Sequence, residues 1–148
     1  MKTLADVALI AVLSVQGALA ADLVRVESPH DVPATIDRLA AAVEKAGATV
    51  FARIDHAKGA AGVDMPIPDN QVLIFGNPAL GTPVIRDAPT AGLDLPLRVQ
   101  AFDEGGQTVI VYHAPASLAA AHGLAPDHPS IGKMTGALGK LTAAAAAE

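Results

Sequence analysis

The sequence predicts a single α+β domain, and three stretches carry that prediction. Gln71-Val72-Leu73-Ile74-Phe75 is an apolar run closed by Gly76-Asn77-Pro78, the pattern of a central strand buried on both faces. Leu95 to Tyr112 reads as a hairpin, with Leu95, Leu97, Val99 and Ala101 on one side, Arg98 and Gln100 on the other, and Asp103-Glu104-Gly105-Gly106 at the turn. Ile36, Leu39, Ala40 and Val43 fall at i, i+3, i+4 and i+7, one apolar stripe on a helix that faces a core.

The remaining elements follow in chain order. Residues 1–20 have the make-up of a secretory signal peptide: Lys2, an apolar run from Val7 to Val15, and Ala18-Leu19-Ala20 as a small-residue cleavage site. The run is short for a bilayer span of about 20 residues. The expectation is therefore export to a bacterial periplasm or secretion, with no stable membrane span after cleavage. Leu23 to Ser28 alternates as a first strand, and Asp31 caps a helix that tolerates Pro33 in its first turn and ends at Gly47. Thr49 to Ile54 is a β-branched and aromatic second strand, so the domain starts βαβ-like. Ala57 to Gly62 is a short helix, and Met65-Pro66-Ile67-Pro68 is extended because each residue before a proline leaves the helical region. Asn77-Pro78 reads as a cap and first helical residue, and Thr82-Pro83 as a repeat of that pattern. Ala91 to Asp94 is a turn. Pro115 opens a helix that Gly123 ends. Asp127 caps a last, Ala-rich amphipathic helix over 127–148 whose stripe is Ile131, Met134, Leu138 and Leu141.

Composition excludes several functions. The net charge of −5 gives no clustered Lys and Arg for phosphates, so nucleic acid is not a partner. With no cysteine there is no disulfide scaffold, no thiolate chemistry and no Cys-based metal cluster. No Gly-x-x-x-x-Gly-Lys loop, Gly-x-Gly-x-x-Gly turn or Gly-x-Ser-x-Gly elbow is present.

In order and spacing, Thr35-Ile36-Asp37-Arg38-Leu39, Val50 to Ala57, Leu73 to Pro78, Gly81-Thr82-Pro83, Gly92 to Arg98 and Tyr112 resemble the family catalogued as domain of unknown function 302 (DUF302). The resemblance spans about Thr35 to Leu124, with the Ala-rich tail outside it, and a domain over 21–126. It implies a mainly antiparallel sheet of about five strands with helices packed on it, and it makes a homodimer plausible. It hands over no reaction.

The candidate site residues are Asp55, His56, Asn77, Arg98 and Tyr112. His56 follows a strand and stands beside Asp55; its imidazole could ligate haem iron or a divalent metal, or it could simply cap the turn. Asn77 has a complete turn-and-cap explanation. Arg98 pairs with Asp94 at a rim or on a solvated face, and Tyr112 offers a phenol. His113, His122 and His128 form no metal-ligand spacing, and His122 reads as a helix-end residue. The functional expectation is a non-enzymatic periplasmic protein that binds a small ligand, haem or a metal, near His56. The alternative is a homodimerising interaction module of the cell envelope that docks through its hairpin or last-helix stripe.

Overall fold

The computed structural model describes residues 23–148; the expected signal peptide, residues 1–20, lies outside the described residues. Five strands form one open sheet in the order β1-β5-β4-β3-β2, with every neighbouring pair antiparallel. The strands are β1 (Leu23–Ser28), β2 (Thr49–Asp55), β3 (Asn70–Gly76), β4 (Leu97–Glu104) and β5 (Gln107–His113). The helices are α1 (Val32–Lys45), α2 (His56–Ala61), α3 (Pro78–Asp87), α4 (Pro115–Ala121) and α5 (Pro129–Ala145), with a 3-10 turn over Pro89–Leu93. The domain is α+β with a mainly antiparallel sheet, as expected.

Local chemistry accounts for the boundaries. The Asp31 side chain accepts from the Ala34 N–H at 2.8 Å, starting α1. Gly47, at φ 74°, ends it in the left-handed region that side chains avoid. At the β4–β5 hairpin, Gly105 and Gly106 hold φ of 66° and 94°, and the Gly106 N–H donates to Asp103 Oδ1 at 2.6 Å.

The core lies between one sheet face and the pair α1 and α5. Ile36, Leu39 and Val43 of α1 are fully buried, together with Leu73, Phe75, Val99, Ala101 and Ile110 of the sheet and Leu138, Leu141 and Ala145 of α5. Each large side chain contributes about 1.5–3 kcal/mol of burial. A second cluster joins Val84 of α3, Leu118 of α4 and Ile131 and Met134 of α5.

Five expectations are corrected. β3 is neither the middle strand nor covered on both faces. Gln71, Leu73 and Phe75 are buried while Val72 and Ile74 are only half-buried, because no long helix lies on the second face. The strand buried on both faces is β5, from Thr108 to Tyr112. Its outer side is shielded by Arg25 of β1, which reaches across to β4: its guanidinium lies 5.8 Å from the Phe102 ring centroid and 2.7 Å from Glu104 Oε2. The βαβ-like start is no paired unit, since β1 and β2 stand on opposite edges and α1 crosses the whole sheet. Thr82 caps nothing; α3 runs on through Pro83. Finally, the cap of α5 is His128, whose Nδ1 accepts from the Ser130 N–H at 3.2 Å. Pro129 takes the first helical position, which leaves Asp127 one residue too early.

Candidate functional site

One concavity is an apolar pocket of about 300 Å³ where the end of β3, α3 and α5 meet. Phe51, Phe75, Leu80, Ile85, Leu97 and Leu141 are among its walls. Among the described residues, Asn77 and Thr82 are the only polar side chains that line it, and no ionisable side chain does. Its volume sits at the lower end of small-molecule sites. The sequence builds it from short motifs that meet only in the fold. Gly76-Asn77-Pro78 turns β3 into α3, with Asn77 Oδ1 accepting from the Ala79 N–H at 2.9 Å. Gly81 places no side chain in the way, and a Cβ there would meet Leu95 Cδ1 at 3.8 Å. Leu95-Pro96-Leu97 forms the facing wall. At Gly76 the fit is tight: a Cβ would stand 3.3 Å from Pro96 Cβ and 3.5 Å from Phe51 Cε2.

The sequence candidates separate in space. Asn77 lines the pocket. Tyr112 is buried in the main core. Arg98 donates to Asp94 Oδ1 at 3.1 Å beside a smaller cleft of about 250 Å³, which His113 and Ser117 also line. His56 is exposed as the first residue of α2, past the far end of β2 from the pocket. Asp55 is occupied as the cap of that helix, accepting from the Lys58 N–H at 2.8 Å. The distance follows from register: Thr49 pairs with Gly76 at the pocket, whereas Asp55 pairs with Gln71. Among the described residues no group of three His, Cys, Asp or Glu side chains is placed to hold a metal ion.

One polar chain escaped sequence reasoning. His122 is a bridge rather than only a helix end: its Nε2 is 2.7 Å from Asp94 Oδ2 and its Nδ1 is 2.9 Å from Thr90 Oγ1. The carboxylate can only accept, so Nε2 carries a proton, and a neutral ring then accepts from the Thr90 hydroxyl at Nδ1. Its partners stand about thirty residues away in sequence, and no spacing rule reaches them. A parallel contact joins His128 Nε2 to Asp87 Oδ2 at 3.2 Å. Arg86 and then His128, both hydrogen-bonded to Asp87, hold its carboxyl below the ordinary carboxylate value.

The comparisons with known proteins bear on family and fold. The family model described as "Domain of unknown function DUF302" matches residues 24–146. The match extends past Leu124 and takes in α5, which the sequence reading left outside. Two curated relatives are named "Fluoride-specific ion channel FluC 1". One, from Brucella suis, is 44% identical over 103 residues, covering 69% of this chain and 41% of that protein. The other, from Brucella abortus, is also 44% identical over 103 residues, covering 38% of that protein. The chain thus spans about two fifths of the curated relatives it matches. A solved DUF302 protein from Bacillus stearothermophilus has the same fold, with a TM-score of 0.69 at 20% identity, covering 86% of this chain and 97% of that one. Among the described residues no helix is long and apolar enough to cross a membrane.

Proposed function

The chain belongs to the DUF302 family, and we propose that it is a non-enzymatic periplasmic protein that binds a small apolar molecule in the pocket between β3, α3 and α5. One observation carries this reading. Separate motifs, Gly76-Asn77-Pro78, Gly81-Thr82 and Leu95-Pro96-Leu97, converge on a single apolar cavity. Among the described residues the lining carries no acid, base or activated nucleophile, which supports binding over turnover. Asn77 and Thr82 supply the polar contacts that orient it. A ligand burying about 250 Å² of apolar surface gains roughly 6 kcal/mol before the costs of association, so an affinity no tighter than tens of micromolar is the working range. The periplasmic assignment rests on the make-up of residues 1–20.

The test is a titration with the apolar fluorophore N-phenyl-1-naphthylamine, followed by displacement with decanoate. Saturable one-site binding is expected. It should weaken at least tenfold in Ala137→Trp, which fills the pocket from α5, and stay unchanged in His56→Ala. The absence of saturable binding overturns the reading. A haemin Soret band that disappears in His56→Ala would instead place the ligand at His56.

A second reading, an interaction module of the cell envelope, draws on the Brucella relatives named as fluoride-specific ion channels. On that reading the domain accompanies or docks onto a membrane protein. Recovery of a channel protein with the tagged chain from solubilised membranes is the expected result, and recovery of none counts against it.

A further inference from the structure

The sheet face away from the helices is uncovered by any helix longer than α2 among the described residues, and it is divided by chemistry. Register places Leu23, Arg25 and Glu27 of β1, Val109, Val111 and His113 of β5, and Arg98, Gln100, Phe102 and Glu104 of β4 on this face. Val72 and Ile74 of β3 pair with Ile54 and Ala52 of β2 on the same face. The β2/β3 half carries no charge and is apolar apart from Asn70, which Gln100 holds, and Ile54 is 41% exposed. The charges gather toward β1 and β4: Arg25, Arg98, Glu27 and Glu104. They balance, in a chain whose net charge is −5.

We propose that this face is the contact between two copies of the chain, stacked sheet on sheet about a two-fold axis that lies between the sheets and perpendicular to the strands. This inference is independent of the pocket reading. Self-association is isologous, so each half of the face must meet its symmetry mate. An axis parallel to the strands would set the charged β1 edge on the apolar β2 edge and leave ions facing hydrocarbon. The perpendicular axis lays β2 on β2 and β1 on β1, antiparallel. Apolar then meets apolar: with the axis at the level of Arg53, Ala52 of one copy comes opposite Ile54 of the other. Area permits it. Strands spaced about 4.8 Å apart and about six residues long give roughly 500 Å² of projected face per copy. Two copies bring about 1,000 Å², the lower bound for a specific interface, before side-chain relief is added. Sheets stacked this way sit about 10 Å apart.

The test uses the full chain in sedimentation equilibrium, with circular dichroism as the check on folding. A dimer is expected at tens of micromolar. Ile54→Glu and, separately, Ala52→Glu should each weaken it at least tenfold with the spectrum unchanged, while Leu93→Glu, at an 83% exposed site outside this face, leaves it intact. Because the chain has no cysteine, Ala52→Cys gives a clean probe that does not depend on disrupting anything. It should cross-link to its own copy with a short bis-maleimide if β2 lies on β2. A monomeric wild type overturns the proposal. So does a dimer that withstands both glutamates, a dimer lost only in Val26→Pro (which would place the contact at the free edge of β1), or an Ala52→Cys dimer that fails to cross-link.

Discussion

His122 Nε2 lies 2.7 Å from Asp94 Oδ2, tying the end of α4 to the turn that leads into β4. The side chain of His122 is only 8% exposed, and its other nitrogen is held by Thr90. His122→Ala removes both bonds and leaves Asp94 with Arg98 alone. The expected loss is about 1–3 kcal/mol, read as a lower urea midpoint with an unchanged slope.

Asp87 holds its proton less tightly than an ordinary carboxylic acid. Its folded pKa is depressed by Arg86 and His128. A depressed carboxylate contributes stability above its unfolded pKa of about 3.8, and that contribution is lost as pH falls through the lower folded value. Asp87→Asn should therefore lower stability slightly near neutrality and flatten the curve below about pH 4, where its difference from the parent chain disappears. Urea midpoints between pH 2.5 and 7 measure this. The effect is small, because the Asp87 side chain is 40% exposed.

Truncation after Pro126 should unfold the domain. It removes Ile131, Met134, Leu138 and Leu141, all buried against the rest of the chain. At about 1.5–3 kcal/mol each, their burial matches the whole stability of a typical domain. Loss of the far-ultraviolet helical signal checks it, and Leu138→Ala alone should cost about 2–5 kcal/mol.

Gly76→Ala should destabilise by about 1 kcal/mol, because the new methyl stands 3.3 Å from Pro96 Cβ, a few tenths of an ångström too close, while Phe51 at 3.5 Å is in ordinary contact. Thermal unfolding measures the cost. Fluorophore binding should weaken alongside it, since both neighbours wall the pocket.

Elements with a local cause were legible in the sequence. Asp31, Gly47, the Gly105-Gly106 turn and the stripe Ile36, Leu39 and Val43 each announce themselves within a few residues, and α1 and the β4–β5 hairpin stand where they were expected. What depends on the third dimension was not legible. An apolar run such as Val72 to Phe75 reads the same whether one face or both are covered, and only the one-sided layering of helices decides. The stripe of α5 was offered as a docking surface, yet it faces the protein's own interior, because periodicity shows that a face is apolar and not what meets it. Of the site, Asn77 was found through its turn. The rest of the pocket is assembled from aliphatic side chains such as Leu80, Leu97 and Ala137, which carry no chemical signature. His56 drew attention because histidine is reactive, but register puts it beyond the opposite end of its strand.

The pairing of β1 with β5 alone has a kinetic side. Residues 23–28 have no pairing partner in the sheet until residues 108–113 are available. The pairs from β2 to β5 join sequence neighbours and can form first, with β1 added last. Such sequence-distant pairing belongs to slow folders. In a chain made from its N-terminus, β1 therefore waits unpaired while the other four strands are synthesised behind it.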